Sequence, residues 1–359
     1  MLTINRNTIV YILCSSNTVT GGPEALHQLC DKINANEGHA EMLYMDYGTE
    51  VLNPKAKTHI RYRHYNIRVA SEVADDKNNV LVVPELWPQF LQNYKQIQKC
   101  IWWLSVNYGE ALFKLSFTDN SIYHLYQSWY AHAFLTGKNA ANVYPLFDYL
   151  SIRPSQTQQR KERIVIYNPK KGLETTLKII DCCAGNKIVF TPLQNLTRPE
   201  MIQLMKRSML YIDFGEHPGK DRIPREAAIY NNVVITSKLG SAACFDDLPF
   251  PEKYKFSPTD MEHIKTAVLS AIDSYEEAVK DFDYYKRVIN NQETEFTVQA
   301  VNLFCPGKIV TVFSFSLQSA TGIRQIRKIF NDRVEQLANK VRKNLPASAK
   351  SKIKKIGLH

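Results

Sequence analysis

Several motifs that would assign a chemistry directly are missing from this sequence of 359 residues. It has no Cys-x-x-Cys pair and no His/Cys cluster, which argues against a structural zinc site or a dithiol redox centre. It has no Gly-x-Gly-x-x-Gly fingerprint, so the case for a dinucleotide-binding site is weak. No window approaches the roughly 20 apolar residues that a membrane-spanning helix needs. No similarity recurs at a period of about 20 to 50 residues, which excludes a repeat protein.

The seven cysteines are scattered through apolar stretches. An odd number in such settings indicates reduced, mostly buried thiols and predicts a cytoplasmic protein. The start, MLTINRNTIVYILCSS, lacks the basic region, long apolar run and cleavage site of a signal peptide, so we interpret it as a first strand. With 44% hydrophobic residues, the chain can bury the cores of two ordinary domains.

The net charge of +10 is concentrated at one end of the chain. Residues 322–359 contain eleven Lys or Arg and two acids, which leaves the first 321 residues at +1. A nucleic-acid enzyme more often carries its positive charge across a groove in the folded body. We therefore expect no nucleic-acid partner.

Apolar residues recur every three or four positions in this terminal segment, with basic residues between them. The spacing predicts a basic amphipathic helix, which suits an anionic membrane face or docking on a partner. The alternative is a helix that packs back on the body while its polar side stays in water. We expect an anionic membrane surface, and hence a peripheral protein at the inner face of the membrane. The apolar positions are Ile323, Ile326, Phe330, Val334, Leu337 and Val341.

The first half alternates short apolar runs with helical patterns. Residues 8–14 (TIVYILC) predict a buried strand, Gly21-Gly22 a tight turn, and the apolar spacing beyond it a helix with Pro23 in its first turn. Gly38-His39 ends that helix before a strand over 40–44, so the two strands are predicted to be parallel. Further strands are predicted over 79–84, 100–104, 122–126 and 142–146, with a helix over 128–135.

A second α/β pattern follows a polar linker over 151–163. Ile223-Pro224 opens a helix, and Thr197 is a plausible N-cap for the one before it. Two successive α/β halves predict two Rossmann-like domains that face a cleft. The other elements predicted here are strands over 163–167, 187–191, 209–213, 233–236 and 308–317, and helices over 173–184, 198–206, 258–290 and 292–304.

A charged loop over 215–222 leads directly into the helix opened by Pro224. The first amides of a helix are unpaired and its dipole favours negative charge, so this loop is a natural anion site. Lys220, Arg222 and Arg225 place three cations at that helix start. The alternative is a solvated, charged surface loop that caps the helix.

Four pieces of the chain resemble, in the right order, the GT-B glycosyltransferases. GGPEALHQLCDKINANEGHAEMLYM resembles their Gly-Gly-x-Glu opening, and NVYPLFDYLSIRP the segment before their interdomain linker. IVIYNPKKGLETTLKII resembles their donor-side Lys-Gly turn and helix, and REAAIYNNVVITSKLGSA their Glu-Ala helix, strand and Gly-rich loop. The match covers about Thr8 to Ser241, and it identifies a divergent relative of the large retaining bacterial glycan-building family.

The resemblance implies a donor site in the second half. Glu226 matches the glutamate that binds the ribose hydroxyls, and Lys171 the lysine at the pyrophosphate, although Lys171 could also be a solvated lysine at a helix start. Gly21 and Gly22 match the loop whose amides approach the donor. The other residues assigned to the donor are Lys220 and Arg222 at the diphosphate, with Arg225 in reserve, and Gly240 and Ser241 in the pocket wall.

The sequence departs from the family where a second glutamate is usual, because Pro218 stands at that position. Glu216 and His217 are nearby and are candidate catalytic residues, although a lone loop histidine is more often structural. Glu85 follows a buried strand and could act as a base if the enzyme inverts. Lys220 and Asp221 could also take over sugar contacts. The family arginine that precedes the lysine has no clear match, and Asn168 and Lys170 are the nearest residues.

The acceptor side would be built by the first half. The candidates Glu24, Trp103, Asn107 and Tyr108 lie at or just after the ends of its predicted strands or open its first helix. The aromatic rings could stack on a sugar, but aromatics at strand ends often pack in the core.

The resemblance thus implies a glycosyltransferase that moves a sugar from a nucleotide-sugar donor to a polysaccharide or lipid-linked glycan with retention. Helix dipoles and cationic side chains neutralise the leaving group in this family, so we expect no cofactor and no metal. The alternatives are a non-catalytic nucleotide-sugar-binding module and a GT-B-like epimerase. The implied domains are an acceptor-side domain over 1–155, a nucleotide-sugar-binding domain over 156–290, a closing helix and strand over 291–321, and the basic tail over 322–359.

Overall fold

The computed structural model describes residues 2–48, 51–152 and 159–307, without the side chains of Tyr108, Ala111 and Leu112. The strand predicted over 308–317 and the helix predicted in 322–359 lie outside this range. The described residues all belong to one compact unit, Met1–Phe315. Among them, no helix is both long and apolar enough to cross a bilayer.

The first half is a six-stranded, all-parallel sheet with the strand order β2-β1-β3-β4-β5-β6. The runs at its centre are mostly apolar because helices and loops cover both faces. The expected strand over 122–126 is confirmed residue for residue. The strands are β1 (Val10–Ser15), β2 (Ala40–Met45), β3 (Val80–Pro84), β4 (Gln98–Trp103), β5 (Ile122–Tyr126) and β6 (Val143–Pro145), and the helices are α1 (Gly21–Ala35), α2 (Asn107–Leu112) and α3 (Trp129–Gly137).

The second half is a five-stranded, all-parallel sheet with the order β11-β10-β9-β7-β8. Thr197 caps its second helix in a capping box with Glu200, as its position in the sequence predicted. The strands are β7 (Glu162–Tyr167), β8 (Val189–Pro192), β9 (Ser208–Asp213), β10 (Val233–Ser237) and β11 (Lys255–Phe256), and the helices are α4 (Leu173–Cys182), α5 (Arg198–Arg207), α6 (Arg222–Ile229), α7 (Met261–Asp273) and α8 (Tyr275–Ala278).

The last described helix, α9 (Asp283–Phe304), belongs to both halves. Tyr285 and Ile289 are buried in the core of the second sheet, whereas Phe296 and Phe304 are buried in the core of the first. The sequence predicted two helices, over 258–290 and 292–304. The break between them was wrong, because α9 continues through residue 291. Gln292 does not begin a helix. It is fully buried where α9 crosses from one core to the other.

The carboxyl ends of the two sheets face each other. The backbone amide of Val106, which follows β4, donates to the carbonyl of Pro218, which follows β9, over 2.9 Å. The amide of Lys220 donates to Oε1 of Gln127, which follows β5, over 3.0 Å. In open α/β sheets ligands collect at such strand ends. The fold therefore brings the two edges where ligands bind into contact.

Candidate active site

The charged loop of residues 215–221, here called the β9 loop, is held tightly against the first half. Gly219 has no room for a side chain, because a Cβ atom there would lie 2.0 Å from the carbonyl oxygen of Leu104. Asn107 donates from Nδ2 to Oε2 of Glu216 over 2.7 Å across the same junction. The loop is therefore not a solvated surface loop but a buried part of the interface between the halves.

The turn after β10 holds the β9 loop from the other side. The amide of Ser241 donates to the carbonyl of His217 over 2.8 Å, and its hydroxyl donates to the carbonyl of Gly219 over 2.6 Å. Gly240 has φ +60°, and a Cβ atom there would lie 2.0 Å from the carbonyl oxygen of His217. Gly240 and Ser241, predicted to line the donor pocket, fix the β9 loop in the structure.

A compact charge cluster lies at the base of the β9 loop. Nδ1 of the fully buried His217 is 2.8 Å from Oδ2 of Asp221, and its Nε2 is 3.7 Å from Oδ1 of Asp213. Lys171, from the loop after β7, lies with its ammonium 2.7 Å from the same oxygen of Asp221. Tyr211 donates its hydroxyl to Asp213 over 2.7 Å. The cluster therefore pairs two carboxylates with an imidazole and an ammonium.

The surroundings of His217 favour its charged form. Burial alone would lower the pKa of His217, but the carboxylates of Asp213 and Asp221 outweigh burial and raise it from its ordinary value of 6.5. Burial likewise opposes ionisation of Asp221, yet His217 and Lys171 hold the pKa of that carboxyl below its ordinary value. His217 thus lies between two carboxylates and is placed to orient Asp221.

Asp213, His217 and Asp221 also have the composition of a metal site, with one ligand atom from each lying within 4.8 Å of the others. A metal would need a neutral imidazole with one nitrogen free for coordination. Here each nitrogen of His217 faces a different carboxylate, and Lys171 already neutralises Asp221. The arrangement fits a bound proton better than a divalent cation.

Glu226 lies on α6, five residues beyond Asp221, and is nearly buried. Its Oε2 accepts a hydrogen bond from Nη1 of Arg198 over 2.7 Å, and the Arg198 side chain is 24% exposed. Sequence reasoning did not find Arg198. The capping motif that begins with Thr197 gave a signal for the helix start, but no local pattern indicates that the first residue of α5 reaches α6.

Arg225 is fully buried and does not reach a ligand site, contrary to its assignment at the diphosphate. Its Nη2 donates to both carboxylate oxygens of Asp148, each over 2.9 Å, and its Nη1 donates to Oε1 of Gln292 over 3.0 Å. Asp148 follows β6 of the first half, and Gln292 lies on the shared helix α9. Arg225 therefore joins three segments at the crossing between the halves.

Arg222 spans the junction beside it and is 14% exposed. Its Nη2 donates to the carbonyl of Tyr149 over 3.1 Å and lies 3.3 Å from Oε1 of Glu24. A Cβ atom on Gly21 would lie 2.8 Å from Cδ of Arg222, so the glycine at the start of α1 makes room for this side chain. Gly22 is less restricted, with 3.6 Å to Cδ1 of Leu104. The structure therefore brings Gly21, Glu24 and Arg222 together at the junction between the halves.

Lys220, predicted at the diphosphate, is instead directed into the interface between the halves. Its ammonium lies 5.1 Å from the ring centroid of Phe147, and the side chain is buried. Burial lowers the pKa of Lys220 from its ordinary value, with Arg225 adding to the effect and Asp247 opposing it. Lys220 thus supports the β9 loop from inside the interface.

Comparison with known proteins relies on structure alone, because no protein-family model matches the chain and no curated protein sequence is significantly similar to it. HepE of Anabaena, solved in complex with UDP-glucose, superposes with a TM-score of 0.58 at 10% identity over 82% of this chain and 98% of that one. Sucrose-phosphate synthase of Thermosynechococcus elongatus gives 0.53 at 11% identity over 93% and 99%.

TarM of S. aureus gives a TM-score of 0.52 at 13% identity over 73% of this chain, which spans 63% of TarM's length. These neighbours have the GT-B fold. This chain has the GT-B fold. The fold class predicted from the four sequence pieces is therefore confirmed, at identities that leave the chemistry to be argued from this chain's own residues.

Among the acceptor-side predictions on the first GT-B half, Trp103 is not available to a sugar. It is fully buried, and Phe113, Phe117 and Phe134 pack around its ring. The cause is the core position of β4, which turns this side chain inward. Asn107 lies at the junction, and the Tyr108 side chain lies outside the described residues.

Glu85 sits at the carboxyl end of β3 and is buried beneath α2. Its Oε2 accepts a hydrogen bond from the amide of Leu104 over 3.1 Å, and a Cβ atom on Gly109 would lie 2.9 Å from Cγ of Glu85. Burial raises the pKa of Glu85 to about 8, although backbone hydrogen bonds partly oppose the shift. Glu85 is therefore a neutral acid at neutral pH rather than a ready base.

We expect Glu85 to make stability depend on pH. The folded pKa of about 8 lies above the ordinary value of 4.5, so the folded chain binds more protons between these values and its stability falls as pH rises through them. Glu85→Gln stays neutral and should remove this slope, a difference of up to a few kcal/mol by about pH 9. Denaturant unfolding of both proteins from about pH 5 to 9 measures it, and parallel profiles would contradict the assignment.

Proposed function

We propose that this protein is a glycosyltransferase that moves a sugar from a nucleotide-sugar donor to a glycan acceptor. The observation that carries the proposal is a pair of partly exposed cations at the strand-end edge of the second GT-B half. Lys171 and Arg198 are 30% and 24% exposed. Each is oriented by a carboxylate near the start of α6, Lys171 by Asp221 and Arg198 by Glu226, which lies five residues further on. That edge faces the first half.

The chemistry of a nucleotide-sugar donor fits these groups. Transfer leaves negative charge on the departing diphosphate, and preoriented cations that neutralise it lower the barrier. Lys171 and Arg198 can supply that charge, with the first amides of α6 beside them. The Glu226 carboxylate is an acceptor for ribose hydroxyl groups. We propose on these grounds that no metal is required.

We further propose that the transfer is retaining. An inverting enzyme needs a base that takes the acceptor proton. Of the three catalytic candidates, Glu85 is buried and protonated at neutral pH, and His217 is buried between two carboxylates. Glu216 is exposed at the junction and is the candidate that can touch substrate. A retaining reaction, in which the leaving phosphate can accept the proton, places the smallest demand on these residues.

The acceptor is proposed to be a polysaccharide or a lipid-linked glycan. Glu24 and Asn107 lie at the edge of the first half that faces the donor cations. Both offer oxygen atoms that can accept hydrogen bonds from sugar hydroxyls. We retain the basic tail of residues 322–359 as a proposed contact with an anionic membrane, which suits a lipid-linked acceptor.

A thermal-shift panel of UDP, GDP, CDP, ADP and dTDP sugars tests the donor site. At a ligand concentration about a hundred times Kd, one nucleotide class should stabilise the wild type by about 2.7 kcal/mol, a shift of several degrees. Glu226→Ala should lose that shift. The matched control is Glu174→Ala, an exposed carboxylate on α4 that should keep it.

A flat response of the wild type to every nucleotide would remove the donor-site proposal. A shift without transfer of labelled sugar to any glycan would instead favour a non-catalytic nucleotide-sugar-binding module. Conversion of the donor into its epimer would favour the epimerase.

A further inference from the structure

The connection between β2 and β3 carries an unbalanced positive charge. Residues 51–71, here called the basic segment, contain five Lys or Arg and no Asp or Glu, whereas the first 321 residues together sum to +1. All five side chains are exposed. The segment is therefore a local concentration of positive charge in a part of the chain whose net charge is close to zero. Its cations are Lys55, Lys57, Arg61, Arg63 and Arg68.

These cations differ from those at the interface between the halves. Arg222 and Arg225 are paired with carboxylates, as are Lys171 and Arg198. In the described part of the chain, no ion pair joins a cation of the basic segment to a carboxylate. Their charge is therefore directed to solvent, where an anionic partner can meet it.

Two buried tyrosines fix the orientation of the segment. The ring of Tyr62 stacks on His27 with 4.2 Å between centroids, and the hydroxyl of Tyr65 lies 2.7 Å from Oγ of Ser151. The residues around these anchors face outward, including Arg61 and Ile60, whose side chain is 71% exposed. An exposed isoleucine beside unpaired cations is thus held in place by the fold itself.

The segment lies near the junction between the halves. Thr58 accepts a hydrogen bond from the hydroxyl of Tyr44, near the carboxyl end of β2, over 3.0 Å. The hydroxyl of Tyr65 lies 3.5 Å from Oε1 of Glu24, the carboxylate that contacts Arg222. Glu24 thus links Tyr65 of the anchored turn to Arg222 at the junction between the halves.

We propose that the basic segment docks on an anionic lipid bilayer, with Ile60 entering the interfacial region and the junction between the halves lying beside the lipid surface. Basic side chains are attracted to anionic headgroups, and an apolar side chain among them gains by leaving water. Tyr47, two residues beyond the end of β2, adds a second exposed apolar group at 75% exposure. A soluble polyanion or a nucleic acid would also be attracted by the charge, but it would offer no apolar region for Ile60. The inference depends neither on the tail nor on the proposed enzymatic activity.

Vesicle co-flotation of the full chain tests this inference. The segment variant is Lys55→Glu/Lys57→Glu/Arg61→Glu. The matched control is Arg6→Glu/Lys77→Glu/Lys95→Glu, which reverses three exposed charges next to the amino ends of β1, β3 and β4, at the opposite edge of the same sheet. With vesicles of phosphatidylcholine and about one third phosphatidylglycerol, the segment variant should bind at least about tenfold more weakly than the wild type, and the control within about twofold.

A second variant, Ile60→Ser, separates insertion from charge. It should weaken vesicle binding by about threefold and leave heparin binding unchanged, because it keeps all the cations. Equal vesicle binding by the wild type and the segment variant would overturn the inference. So would an equal loss in the control, or a segment variant that loses heparin binding while it keeps vesicle binding. Thermal unfolding of each variant verifies that these exposed positions leave the fold intact.

Discussion

Replacing Arg225 by methionine is expected to lower the free energy of unfolding by about 3–5 kcal/mol, the range for breaking a buried ion pair by removing one partner. The guanidinium is fully buried, and its loss leaves the carboxylate of Asp148, itself 1% exposed, without its bidentate partner. Gln292 on the shared helix loses its hydrogen bond as well. Urea unfolding measures the change.

Arg207→Met is the matched control for this experiment. Its guanidinium also makes two hydrogen bonds to one carboxylate, that of Glu162, but both side chains are about half exposed. Its loss should cost less than about 1 kcal/mol. Restoring charge balance with Asp148→Leu in the Arg225→Met background should recover part of the stability. If Arg225→Met lowered the free energy of unfolding no more than Arg207→Met, the contacts of Arg225 would not stabilise the junction between the halves.

Lys171→Met is expected to lower kcat/KM for sugar transfer by about a hundredfold or more, a loss typical of one group that stabilises developing charge in a transition state. The ammonium is partly exposed and already oriented by Asp221. Asp221 keeps His217 as a second partner, so the fold should tolerate the change. Initial rates at several donor concentrations measure the effect.

Two variants control for this prediction. Lys170→Met removes the neighbouring exposed ammonium from the same loop and should change kcat/KM by less than about threefold. Lys171→Arg keeps the charge and should retain more activity than Lys171→Met. If Lys170→Met and Lys171→Met lost kcat/KM to the same extent, the charge of the loop rather than Lys171 itself would be what matters.

The strands and the fold class could be predicted because their signal is local. The apolar runs of β5 and β9 and the proline in the first turn of α6 each report on a few neighbouring residues. Four such units in order are enough to indicate two parallel sheets. The break placed at Gln292 failed because a polar residue normally marks exposure, whereas this one is buried to satisfy Arg225.

The roles of the cations could not be predicted in the same way. Arg222, Arg225 and Lys220 form one basic cluster in sequence, but the structure turns them into different surroundings. Their partners, such as Asp148, are more than 70 residues away in the chain. Arg198 was missed for the same reason, since its partner Glu226 lies on another helix. Pairing across long sequence separations decides which charge is structural and which is available.

The shared helix α9 has a thermodynamic consequence for the whole described body. Because one continuous helix supplies Tyr285 and Ile289 to one hydrophobic core and Phe296 and Phe304 to the other, neither core is complete by itself. Unfolding of one sheet would remove about half of the packing contacts of α9 and so destabilise the other sheet. The two sheets should therefore lose their structure together, in a single cooperative step rather than in two.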